Sequence, residues 1–221
     1  MNVLVLAAHP DDETIGCGGT ISKHIRNGDK VSLILFSEGH KPIQPNLKEY
    51  NKNATEILGI EWSDIYWLGL PSGTFDTQNK LEVNMRVTTI LNKVKPDYVY
   101  THYYEDIHQD HRFVYDSTMV ACRPQIARGV DEEWHGVKKI LCYEVPSSTN
   151  LYISQFSANH YEILDKIDID NKLNAFVCYK GEVRKGFNAR SLDSLKTWMK
   201  YRGSQISHEF AESFQLQRSI R

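Results

Sequence analysis

The chain has 221 residues, with 26 Lys plus Arg against 28 Asp plus Glu and a formal net charge of −2. That length suffices for one large α/β domain with its own core, and the balanced charge argues against a nucleic-acid partner or an anionic membrane surface. Cys17, Cys122, Cys142 and Cys178 form no CxxC pair and no apolar run approaches a membrane span, so a soluble, cytoplasmic protein with reduced thiols and no leader is expected.

Apolar runs of strand length alternate with segments of helical period. Val3 to Ala8 is apolar on both faces, as a central parallel strand covered by helices requires. Gly18 to Asn27 reads as a helix ending at Gly28 and Asp29. Val31 to Phe36 is a second strand, Lys48 to Leu58 a helix closed by Gly59, and Ile65 to Leu68 a short third strand. Pro71 to Asn79 reads as a surface loop, and Leu81 to Val94 as a helix stopped by Pro96. Tyr98 to His102 is the fourth strand, followed by a polar loop and a helix over about Arg112 to Cys122. Beyond it, Lys138 to Val145 and Tyr161 to Leu164 read as strands, and Lys166 to Lys180 and Leu192 to Arg202 as helices; the final AESFQLQRSIR reads as a helix or strand end. The alternation predicts a Rossmann-like three-layer α/β/α sandwich with a mainly parallel sheet, one domain over residues 1–221. Its part from about residue 146 adds helices and strands near the site or at a homo-oligomer interface.

In such a sheet ligands sit beyond the carboxyl ends of the strands, near a reversal of strand order. Two polar clusters fall at such ends. AAHPDDETIGCGGT (Ala7 to Thr20) follows the first strand and YYEDIHQDHR (Tyr103 to Arg112) follows the fourth. Together they offer His9, Asp11, Asp12, His108, Asp110 and His111. Two imidazoles and a carboxylate with open positions are what a catalytic Zn²⁺ site uses, so a metal centre is the leading reading of these residues. Taken singly, each is an ordinary loop histidine, a solvated acid or a helix cap. Gly16, Gly18 and Gly19 fit no phosphate-loop pattern and are expected to let the backbone approach the metal loop.

The pair AAHPDDETIGCGGT and HQDHR resembles the PIG-L/LmbE-like N-deacetylase family, zinc enzymes that remove the acetyl group from N-acetylglucosamine units of glycolipids, sugar conjugates or oligosaccharides. The resemblance implies His9, Asp12 and His111 as metal ligands, Asp11 as general base and His108 as the group that stabilises the transition state. Zinc is the implied ion, with Fe²⁺ or another divalent ion as alternatives. In this reading His108, if protonated, donates to the developing oxyanion, and Asp110 orients or charges a neighbouring histidine. Members of the family often carry a substrate-facing arginine in the helix after the second strand; here the matching segment NLKEYNKNATEILG offers Lys48 as its nearest cation. Glu38 and His40 end the second strand at the same rim and are candidate substrate contacts. Tyr103 and Tyr104 are candidates for stacking on a sugar ring or hydrogen-bonding the oxyanion, or else a packed aromatic pair at a strand end.

Two other readings use the same residues. One is a non-catalytic sugar- or nucleotide-binding module that kept the rim without turnover. The other is the HxD…H triad of a non-haem Fe(II) oxygenase, which would require an all-β jelly roll.

Overall fold

The computed structural model describes residues 1–39, 45–123, 136–151 and 156–220. Strands β1 (Asn2–Ala7), β2 (Lys30–Ser37), β3 (Ile65–Leu70), β4 (Tyr98–His102), β5 (Lys139–Tyr143), β6 (His160–Ile163) and β7 (Ala211–Ser219) form one sheet in the order β3-β2-β1-β4-β5-β7-β6. The first five run parallel, while β7 lies antiparallel to both β5 and β6. Helices alternating with parallel strands are the expected α/β/α architecture and exclude the jelly roll of the iron-oxygenase reading.

The apolar runs explain the layering. Along β1, Val3, Val5 and Ala7 enter one core while Leu4, Leu6 and Ala8 enter the other, so both faces of the strand are covered. Helices α1 (Asp12–Arg26), α2 (Leu47–Leu58) and α5 (Lys166–Val177) pack together over the first face, and α3 (Lys80–Val94) and α4 (Gln109–Ala121) over the second. From β1 the chain steps outward to β2 and β3, then returns to place β4 on the other side of β1. This reversal opens a crevice beyond the carboxyl ends of β1 and β4.

Three expected boundaries are corrected. Helix α1 begins six residues earlier than the glycine-rich stretch suggests, at Asp12, with Asp12 and Glu13 in its first turn where acid meets the helix dipole favourably. Its glycines are packing surfaces: a Cβ on Gly16 would lie 2.2 Å from the Tyr143 ring, and one on Gly19 2.6 Å from Leu164. The segment Pro71 to Asn79 is no mere surface loop, because Phe75 is fully buried between Phe36 and Phe113, with ring centroids 6.2 and 5.8 Å away. The C-terminal stretch is a strand, β7, which extends the sheet.

Tyr143 cannot withdraw from Gly16, since its hydroxyl donates to the Leu6 carbonyl oxygen at 2.8 Å inside the core. Gly16→Ala is therefore expected to destabilise the protein by about 1–3 kcal/mol through overpacking, despite the better helix propensity of alanine. A lowered denaturant midpoint at unchanged m-value checks this; an unchanged or raised midpoint contradicts it.

Candidate functional site

Both polar clusters arrive at the crevice. The β1–α1 turn carries His9 and Asp11, with Asp12 opening α1, and the β4–α4 loop carries Asp106 and His108, with Asp110 and His111 in the first turn of α4. A cavity of about 560 Å³ is lined by His9, Asp11, Asp12, His108 and His111, with Ser147, Ser148, Glu182 and Arg190 from later segments.

Asp12 is the hub. Its Oδ2 accepts the His9 backbone N–H at 2.9 Å and lies 3.2 Å from His9 Nδ1 and 3.3 Å from His111 Nε2. The far nitrogen of each ring meets a second carboxylate, Asp110 at 2.9 Å from His9 Nε2 and Asp106 at 3.1 Å from His111 Nδ1. Ligand atoms of His9, His108 and His111 lie within 4.8 Å of one another, as do those of Asp12, His102 and His111. Burial opposes charging His9, but Asp110 and Asp12 outweigh it and hold the ring up to about 9; burial likewise opposes His111, which Asp12 and Asp106 hold up to about 10. Asp12 is buried too, yet His111, His9 and His102 pull its carboxyl well below the usual range.

The supporting carboxylates are themselves fixed. Asp110 accepts the backbone N–H groups of Gly73 and Phe75 at 2.6 and 3.3 Å, which is the task of the buried Phe75 turn. Asp106 accepts from Ser148 Oγ at 2.9 Å, Thr149 Oγ1 at 2.7 Å and the His108 backbone N–H at 2.8 Å. Sequence reading missed Asp106: it stood inside the quoted cluster beside Glu105, and nothing local distinguishes the two acids.

Asp11 occupies a strained backbone, φ 118° and ψ −28°, a region that side-chain-bearing residues rarely visit. Its N–H donates to Glu13 Oε2 at 3.0 Å, and its carbonyl accepts from Ile15 N at 2.8 Å. Glu13 is wholly buried and is held in turn by the Tyr179 hydroxyl at 2.5 Å. These contacts turn the Asp11 carboxylate to the cavity, where it meets the Arg190 guanidinium, which also pairs with Glu182 at 3.1 Å. Burial pushes the Asp11 carboxyl well above the usual carboxylate range, with Arg190 opposing the rise.

His108 caps α4, its Nδ1 accepting the Asp110 backbone N–H at 3.2 Å. That bond leaves the ring proton on Nε2. Burial and the neighbouring His111 and His9 rings lower its pKa, which disfavours the protonated form and leaves a ring that can donate through Nε2–H.

The substrate candidates fare differently. Lys48 and Glu38 pair with each other at 2.6 Å, Lys48 also lying 4.9 Å from the Trp67 ring centroid, and neither lines the cavity. Among the described residues that line the cavity, the Lys or Arg side chain is that of Arg190, from the segment between α5 and α6 (Leu192–Ser204). Tyr103 turns away into a cluster with Cys142 and Phe156, and Tyr104 packs on it with ring centroids 4.6 Å apart, the structural alternative for this pair. His40 lies outside the described residues.

Comparison with known proteins shows the family and the fold. A family model described as PIG-L, GlcNAc-PI de-N-acetylase, matches residues 4–122. The chain is 28% identical over 163 residues to the uncharacterized deacetylase YaiS of Escherichia coli (strain K12), spanning 69% of this chain and 78% of that protein. The N,N'-diacetylchitobiose deacetylase of Pyrococcus horikoshii superposes with a TM-score of 0.78 at 21% identity, over 97% of this chain and 83% of that one. The same fold also carries GalB, the 4-carboxy-2-hydroxymuconate hydratase of Pseudomonas putida KT2440, with a TM-score of 0.80 at 18% identity over 100% of this chain and 98% of that one.

Proposed function

The chain belongs to the PIG-L family of de-N-acetylases, and on that premise we propose that it hydrolyses the N-acetyl group of an N-acetylated amino-sugar conjugate to acetate and the free amine. The observation that carries the reading is the meeting of His9 and His111 at one oxygen of Asp12, on the wall of the cavity that also receives the Asp11 carboxylate.

The donor set fits a divalent ion. Two imidazoles and a carboxylate converge while each ring's other nitrogen is backed by a buried carboxylate, the arrangement that fixes a metal-ligating histidine. His9, Asp12 and His111 would hold the ion, zinc being the one this set favours, with Fe²⁺ or another divalent ion accommodated by the same donors. A bound ion would polarise the acetyl carbonyl and raise the acidity of the attacking water.

The chain's own residues supply the rest. Asp11 takes the proton of the water as its oxygen attacks the carbonyl carbon, then returns it to the departing nitrogen as the C–N bond breaks. A carboxyl raised by burial suits both tasks. Arg190 opposes that rise and so favours the ionised form before attack. His108 donates its Nε2–H to the carbonyl oxygen as negative charge develops there. Ser147 and Arg190 offer donors for sugar hydroxyls on the same wall.

Arg190→Met removes the cation facing Asp11. The Asp11 pKa then rises further, so the acidic limb of the pH dependence of kcat is expected to move to higher pH; a limb that stays in place contradicts the pairing.

The reaction is tested by acetate release from free N-acetylglucosamine, its UDP, malate and inositol conjugates and N,N'-diacetylchitobiose. Release from at least one conjugate, stopped by chelation and restored by zinc, is the expected result. Metal-replete protein that releases no acetate from any of them would contradict it. Acetate also separates this reaction from hydration of a carbon–carbon double bond, which the fold alone does not.

A further inference from the structure

A second cavity, of about 870 Å³, lies against α6. Ser194, Thr197, Trp198 and Tyr201 follow the i, i+3, i+4, i+7 spacing of one helix stripe and line it together. Phe187, from the segment before α6, lines it while standing fully exposed. The Trp198 and Tyr201 ring centroids are 5.8 Å apart. The stripe is held rigidly: Arg202 lies 5.2 Å from the Trp198 ring and forks onto Glu144 with two bonds of 2.7 Å.

This groove and the polar cavity share a wall. Pro146 lines the groove, while its chain neighbours Val145 and Ser147 line the polar cavity. Ala189 lines the groove, while the next residue, Arg190, reaches Asp11. One side of this partition is therefore polar and the other aromatic. Among the described residues that line the groove, Asp193 is the one charged group, so a phosphate or carboxylate finds no cation there. An uncharged apolar group finds a concave aromatic surface beside a reaction cavity, the usual form of a ligand groove.

We infer that the groove on Phe187, Trp198 and Tyr201 is the aglycone site, receiving an uncharged alkyl or aryl group attached to the amino sugar whose acetamide lies in the polar cavity. The inference rests on the deacetylase reading for the sugar and adds the chemical class of what the sugar is joined to.

The test compares methyl, hexyl and phenyl glycosides of N-acetylglucosamine. Hexyl and phenyl glycosides are expected to show a KM at least about ten-fold below that of the methyl glycoside at similar kcat, the signature of apolar burial away from the reacting bond. Phe187→Ser, a change at an exposed position, is expected to remove most of that gap and leave the methyl glycoside unaffected. Equal KM values for all three, or a gap that survives in Phe187→Ser and in Tyr201→Ser, overturn the inference. So does N,N'-diacetylchitobiose outcompeting the hexyl glycoside with the same sensitivity to Phe187→Ser, which assigns the groove to a second sugar. An oligomer that Phe187→Ser dissociates in sedimentation overturns it as well, since a second copy then covers the groove. Absence of acetate from every glycoside defeats the deacetylase reading instead, and the groove is then judged by calorimetry with hexyl and methyl glucoside. Hexyl binding at least about ten-fold tighter, lost in Phe187→Ser, upholds an apolar site; equal or undetectable binding overturns it.

Discussion

Asp11→Asn is expected to lower kcat by about 10²- to 10⁴-fold while leaving metal content unchanged, the range over which a positioned acid–base group acts. The substitution suits the site because asparagine keeps the shape of aspartate and tolerates a positive φ nearly as well, so the strained turn at φ 118° is retained. Asp11 is not one of the residues whose ligand atoms converge, and its N–H bond to Glu13 uses the backbone. The amide accepts no proton at neutral pH, and its NH₂ group faces Arg190 in place of the oxygen that pairs with it. Measured kcat and metal content decide the matter together. Turnover within a few-fold of wild type removes Asp11 as the base, and an intact cellular role without turnover favours a binding module.

His111→Ala is expected to abolish stable metal binding, and turnover with it. The side chain is almost wholly buried, and the substitution removes one of the two imidazoles that meet at Asp12 and leaves the Asp106 carboxylate facing a void. Asp106→Asn should act more mildly, by about 10- to 100-fold in metal affinity, because it disturbs the orientation of the ring and keeps the ligand. Proton competition gives the sign of the pH effect. A metal needs neutral imidazole, whereas His9 and His111 in the metal-free protein hold their protons up to about 9 and about 10. Loading the site at neutral pH therefore releases protons, and affinity weakens as pH falls. Calorimetry in buffers of different ionisation enthalpy measures that release; its absence, or full zinc occupancy in His111→Ala, contradicts the ligand assignment.

The layering and the rim were legible because their signals are local. A run such as Val3 to Ala8, apolar on both faces, reads as a covered parallel strand, and Tyr98–His102 has the same bounds in the sequence reading and in the structure. The two acid–histidine clusters sit directly beyond such strands, so topology alone brings them together. What escaped depends on contacts across the chain. Gly16 looks like a loop in sequence and Gly19 like the start of a helix, and only the Tyr143 and Leu164 side chains show why the helix needs a glycine at both. Phe75 looked like part of a surface turn, and its burial follows from Phe36 and Phe113 on two other elements. Arg190 reaches Asp11 from far along the chain with no spacing to mark it, whereas Lys48, in the position the resemblance singled out, is neutralised locally by Glu38.

The most direct measurement is the stoichiometry of products from N-acetylglucosamine conjugates, made on one preparation first stripped of metal and then given one equivalent of zinc. Acetate and primary amine appearing in equal amounts from at least one conjugate, with zinc and not without it, is the expected result. Full zinc occupancy with neither product formed, or equal turnover by the stripped protein, would contradict a metal-dependent deacetylase built on His9, Asp11, Asp12 and His111.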